Sequence, residues 1–104
     1  MKHWKVVFAI GCGLIVAACG QESAAHKAVL SRLKDPDSAK FGEFTTVKGG
    51  SGGSFSCLTV NSKNSMGGYV GDKQAILMWL SDGWDVIGIH DVSHEQCLTM
   101  TAGM

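Results

Sequence analysis

An apolar run from Val6 to Ala18 decides how much of this chain is free to fold in water. It follows Met1-Lys2-His3-Trp4-Lys5, which carries two lysines and no acid, so a basic stub leads straight into a hydrophobic segment of 13 residues. As a helix rising about 1.5 Å per residue, that segment reaches about 20 Å against a hydrocarbon core of about 30 Å. It is too short for a comfortable permanent span. Polarity, length and the small residues at its end, Val16-Ala17-Ala18, fit a cleavable export signal, because a signal peptidase groove takes small side chains before the scissile bond. The residue after that bond is Cys19.

Val16-Ala17-Ala18-Cys19 resembles the lipobox of bacterial lipoprotein signal peptides: an aliphatic residue, two small ones and cysteine. Val16 stands where leucine is commoner. The resemblance implies cleavage between Ala18 and Cys19, a diacylglycerol thioether on the Cys19 sulfur, and an N-acyl chain such as palmitate on the new amino terminus. It implies no other cofactor. One acyl chain holds a protein marginally and two or more hold it stably, so the implied partner is a membrane. Gly20, rather than aspartate, follows the cysteine. In a Gram-negative host, by analogy with the family, this favours the outer membrane and a domain facing the periplasm. The alternatives are an ordinary signal peptide cut elsewhere and an uncleaved anchor.

Loss of residues 1–18 leaves 86 of 104, enough for one small domain. The expected organisation is a signal peptide over 1–18, a lipidated tether over 19–23 and one domain over 24–104. Without Lys2 and Lys5 the chain holds 7 basic and 9 acidic residues, a formal charge of −2. That balance gives no reason to expect nucleic acid as a partner. Cys12 leaves with the signal and Cys19 is lipidated, so Cys57 and Cys97 remain. In an oxidising envelope the simplest use of two such thiols is a disulfide, worth about 4 kcal/mol in the chain-entropy account. The alternative is a pair of free or metal-binding thiols.

Ser23 is a candidate N-cap, and Ala25, Ala28, Val29 and Leu33 follow at helical spacing. Pro36 disfavours helix at Asp35, so the helix should stop near Lys34. Phe41 to Val47, Phe55 to Val60, Gln74 to Leu80 and Trp84 to Ile89 read as strands. The glycine-rich stretch Lys48 to Ser54 reads as a flexible connection, and Ser81-Asp82-Gly83 as a tight turn. Ser93 with Gln96 resembles a capping box opening a short helix that carries Cys97. The predicted class is α+β: an N-terminal helix packed on a three- to four-stranded antiparallel sheet, with one disulfide pinning the C-terminal turn to the second strand.

Asp35-Pro36-Asp37-Ser38-Ala39-Lys40-Phe41 and Val60-Asn61-Ser62-Lys63-Asn64-Ser65-Met66-Gly67-Gly68-Tyr69-Val70-Gly71 resemble two motifs, DPxSAxF and VNxKNxxGGYxG. These belong to small uncharacterised bacterial and phage-borne envelope proteins. The resemblance covers Leu30 to Gly71. It implies one compact domain and nothing catalytic.

Asn61, Lys63 and Asn64 beside Gly67, Gly68 and Tyr69 form a possible binding loop. Glycines let backbone N–H groups converge on an anion, and lysine adds charge. The plainer reading is a structural turn, with asparagines holding it, glycines supplying φ > 0 and Tyr69 packing on the helix. His90, His94 and Cys97 have zinc-ligand spacing. Cys97 is better used in the disulfide, so no metal is expected. Gly49-Gly50-Ser51-Gly52-Gly53 matches G-x-S-x-G in letters only, because the residues after Ser51 are strand-like and a nucleophile elbow needs a helix there. Trp79, in the dense run Ile76 to Leu80, is expected in the core, and Trp84, beside the turn, nearer the surface.

With no nucleophile, base and orienter set in view, the expected role is a non-enzymatic envelope lipoprotein that binds another envelope protein or the cell wall. The alternative is an inhibitor or exclusion factor acting against an incoming lytic enzyme or phage. A weaker third reading is an envelope hydrolase using Ser51 and His90.

Overall fold

The structure, a computed structural model, describes residues 20–104. The expected signal segment and the expected lipidation position, Cys19, lie outside the described residues. Helix α1 covers 20–30 and is already helical three residues before Ser23, where the cap signal placed its start. A 3-10 turn, Pro36–Ser38, follows, with proline in its first positions, where a missing N–H costs nothing. Four strands come next: β1 (Lys40–Lys48), β2 (Ser54–Asn61), β3 (Lys73–Leu80) and β4 (Gly83–His90). Helix α2 (His94–Ala102) closes the chain. The strands form one antiparallel sheet in the order β1-β2-β3-β4, each paired with its neighbour in sequence. Two helices, this sheet and the Cys57–Cys97 disulfide make an α+β fold.

Both faces of the sheet carry buried side chains. On the first face Leu58, Val60, Ala75, Leu77 and Val86 share a buried cluster with Ala25 and Val29. On the second face Cys57, Ile76 and Cys97 form a smaller one, flanked by Val92 and Leu98. This explains why Ala75-Ile76-Leu77 is continuously apolar: alternate residues of a strand point to opposite faces, and here neither face is wet. The run then splits. Trp79 and Leu80, at the end of β3, are 40% and 44% exposed, whereas Trp84 is half-buried against the first-face cluster. The expected placement of the two tryptophans is therefore reversed. The strand leaves the covered part of the sheet before Trp79, and Trp84 donates its Nε1–H to the carbonyl oxygen of Gln21 at 3.0 Å.

Two irregularities in register set which side chains face inward. Phe41 pairs with Val60 and Phe44 with Leu58, so one extra residue is absorbed between them. Phe41 and Phe44, three apart, then both pack against the first-face cluster, which strict alternation forbids. In β4, Val86 pairs with Leu77 and Gly88 with Ile76, leaving Ile87 over. Ile87 is accordingly 44% exposed, while Ile89 joins the inward-facing set.

Helix α2 begins with the capping box expected at Ser93. The Ser93 Oγ accepts from the Gln96 N–H at 3.1 Å, and the Gln96 Oε1 accepts from the Ser93 N–H at 3.0 Å. The helix is tied to β2 by the disulfide, with Cα atoms 6.2 Å apart and both cysteines fully buried. The glycine-rich segment before β2 is docked rather than loose. The Gly50 N–H donates to Ala102 O at 3.1 Å and the Ser51 Oγ donates to Met104 O at 2.7 Å. A Cβ on Gly49 would lie 2.7 Å from the Phe55 ring, so only glycine lets this turn close over it.

Candidate functional site

The connection from Asn61 to Lys73 is the longest between strands, and it is held by its own asparagines. The Asn64 Oδ1 accepts from the N–H groups of Met66 at 2.9 Å and Gly68 at 3.2 Å, and the Asn64 N–H donates to Gly68 O at 2.9 Å. The Asn61 Oδ1 accepts from the Gly71 N–H at 3.0 Å, and the Val70 N–H donates to Ser62 O at 3.2 Å. Gly67 has φ +85°, a conformation that costs an L side chain roughly 1–2 kcal/mol. The two N–H groups of the loop that could have faced an anion are thus turned onto a carboxamide oxygen of the same loop.

Tyr69 leaves this loop toward the 3-10 turn rather than toward α1. Its hydroxyl donates to Ser38 O at 2.9 Å, and the Ser38 Oγ accepts from the Lys63 N–H at 2.8 Å. Lys63 and Tyr69 also form an isolated antiparallel bridge. The Nζ of Lys40 stands 4.5 Å from the Tyr69 ring centroid and that of Lys63 stands 5.5 Å away, both within cation–π range. The two stretches singled out in the sequence, 35–41 and 60–71, therefore meet in space through Ser38, Lys40, Lys63 and Tyr69. Around them Met66 is 92% exposed, and Tyr69 and Val70 are also exposed. The result is a stiff loop whose tip is apolar and whose flank bears two ammonium groups.

A second cluster lies under the first turn of α2. The His94 Nδ1 is 2.8 Å from Gln74 Oε1, and the His94 Nε2 is 2.9 Å from Thr45 Oγ1. The Gln74 Nε2 donates to Thr59 Oγ1 at 2.9 Å. An amide oxygen can only accept, so Nδ1 donates to Gln74 Oε1 in this arrangement, and the Thr45 hydroxyl, which can donate or accept, partners Nε2. The Glu43 carboxylate stands 4.0 Å from the same Nε2 but is largely exposed. Gln74 is buried, and the row joins β1, β2, β3 and α2. In form it is hydroxyl, imidazole and orienting amide. In effect every polar atom is paired with another of the row, which fastens the helix over the sheet.

Neither Ser38 nor Lys40 stood out by chemical type, although both lie inside the first motif. Thr45, Thr59 and Gln74 carried no signal at all, because they come from three strands and only the register brings them to one histidine. Cys97 is in the disulfide, and His90 lies at the end of β4. Among the described residues, no three His, Cys, Asp or Glu side chains gather into a metal-binding set. Ser51 sits in the turn between β1 and β2, bonded to the C-terminal carbonyl, and a strand follows it. The outer side of α2 has one shallow hollow lined by Val92, Ser93, Glu95, Gln96, Thr99 and Met100. Among the described residues no helix is long and apolar enough to cross a membrane.

Comparison of the chain with protein-family models, with curated proteins and with solved structures gave no match.

Proposed function

We propose that this protein is an envelope lipoprotein, acylated on Cys19, whose folded domain is a non-enzymatic binding module. In this reading α1 closes the first face of the sheet, a placement supported by Ala25 and Val29 in the buried cluster with Leu58 and Leu77. The membrane is one partner, through the lipid. The other is an envelope protein or the cell wall, met by the loop between β2 and β3.

The observation that carries the binding role is the loop's internal bonding. Asn61 and Asn64 have already ordered its backbone, so presenting Met66, Tyr69 and Val70 to a partner costs little further entropy. An exposed apolar tip on a rigid support is how loops come to carry recognition. Lys40 and Lys63 add charge at the flank, which favours a partner with acidic groups beside an apolar contact. The lipobox-like Val16-Ala17-Ala18-Cys19 supports the address.

The test has two parts. Wild type should incorporate labelled palmitate and fractionate with membranes, and Cys19→Ser should do neither; a wild type that takes up no palmitate removes the anchor. A photo-crosslinker at Met66 in living cells should then capture one reproducible partner, with Lys63→Ala and Tyr69→Ala each weakening capture. Capture of a lytic enzyme or phage component at this position would turn the reading toward an exclusion factor. Capture unaffected by either substitution would end the role given to the loop.

A further inference from the structure

The end of the sheet opposite the binding loop carries an apolar cluster that the fold leaves in water. Its exposed members are Trp79 and Leu80 at the end of β3, and the half-buried Trp84 at the start of β4 lies beside them. The two indoles meet edge to face with centroids 5.0 Å apart. This hairpin tip is also held against the start of α1, where Trp84 donates to Gln21 O at 3.0 Å. Gln21 is two residues beyond Cys19. Chain connectivity, at about 3.8 Å per Cα step, keeps the acylation position within about 8 Å of Gln21. The tip therefore lies beside the point where the acyl chains would leave the protein.

We propose that the β3–β4 tip is a second membrane contact, with Trp79 and Leu80 entering the interfacial layer of the bilayer that holds the Cys19 acyl chains. The proposal rests on the lipid anchor argued above. Indoles favour the headgroup level, where a flat apolar ring and a polar N–H both find suitable surroundings. The Trp84 N–H is already bonded to Gln21, so withdrawing it from water leaves no donor unpaired. Attachment through Cys19 keeps the tip at high local concentration beside the bilayer, so a contact too weak to hold a free protein is enough to orient a tethered one. Asp82 and Asp85 on the hairpin and Glu22 on α1 are exposed, and residues 79–85 include no lysine or arginine. Those charges point to a zwitterionic lipid layer rather than an anionic one. With the tip down, the eight residues of β3 place the loop at Lys63 and Tyr69 about 25 Å from the membrane, facing outward.

Trp4 is lost with the signal segment, so Trp79 and Trp84 are the only tryptophans of the mature chain and report on the tip directly. The lipidated protein would be reconstituted into phosphatidylcholine–phosphatidylethanolamine vesicles, with and without bromine on the upper acyl carbons. Tryptophan emission should drop with brominated lipid. Acrylamide quenching should fall several-fold relative to Cys19→Ser protein mixed with the same vesicles, and added salt should change neither result. Leu80→Asp should still float with vesicles and melt as wild type does, but lose the bromine effect. Lipidated protein that floats while its indoles stay as open to acrylamide as in Cys19→Ser would overturn the contact and leave the anchor standing. Protein whose intact mass shows no lipid, and which does not float, would overturn the anchor and the contact together.

Discussion

Replacing both Cys57 and Cys97 by alanine isolates what the disulfide does. The bond closes a ring of 41 residues, from β2 through β3 and β4 to α2. Chain entropy alone gives such a ring about 4 kcal/mol at room temperature. Both sulfurs are fully buried beside Ile76, with Val92 and Leu98 packed around them, so removing them leaves a small void that adds about 1 kcal/mol. A domain of this size has roughly 4–13 kcal/mol of stability in all, so the loss of about 5 kcal/mol is between a third and the whole of it. In melting temperature this is about 20 °C or more. The damage should begin at α2. Nine residues are too few for a helix to persist unaided, and α2 buries only Cys97 and Thr101 fully. Urea unfolding followed by circular dichroism gives the global loss, and amide hydrogen exchange gives its location, with α2 opening before β2 and β3. A loss below about 2 kcal/mol, or α2 amides as protected as in wild type, would refute the reasoning, since the capping box and the His94 row would then suffice to hold the helix.

Leu58→Ala, at a fully buried position in the first-face cluster, should cost about 3 kcal/mol in urea unfolding. Gly67→Ala should cost about 1–2 kcal/mol, because its φ of +85° is unfavourable for alanine, and should shift the amide resonances of Met66 and Gly68. Gln74→Leu leaves the His94 Nδ1–H without its acceptor and should cost about 1–3 kcal/mol, with faster exchange of that ring proton by NMR. Tyr69→Phe removes one hydrogen bond to Ser38 O and should cost about 1 kcal/mol, visible as a small drop in the urea midpoint.

The legible part of the chain was local. The four strands and the Ser93–Gln96 cap announce themselves in a few adjacent residues, and the structure places them there; the tight turn falls at Ser81-Asp82, with Gly83 already in β4 and no positive φ. The Cys57–Cys97 pair, 40 residues apart, was legible only by elimination among four cysteines. The misplaced features depend on events between elements. Trp79 and Trp84 changed places because burial is set by where the sheet stops being covered. Phe41 and Phe44 share a face only through an extra residue absorbed in β1. The Lys48 to Ser54 segment looked loose because glycines that admit a close neighbour have the same letter as glycines that admit freedom. His94 was weighed as a metal ligand by its spacing to His90, while its true neighbours, Thr45, Thr59 and Gln74, lie 49, 35 and 20 residues away. Asn64 drew attention as a ligand-binding side chain, and its partners turned out to be the N–H groups two and four residues on.

The covalent ring from Cys57 to Cys97 encloses both the exposed loop at Lys63 and the hairpin tip at Asp82. A protease that cuts at either place produces a nicked molecule and not two pieces. The severed C-terminal half stays fastened to the N-terminal half through sulfur. Separation of the two halves requires both a cut and a reductant, so a break in either exposed loop leaves one covalent molecule.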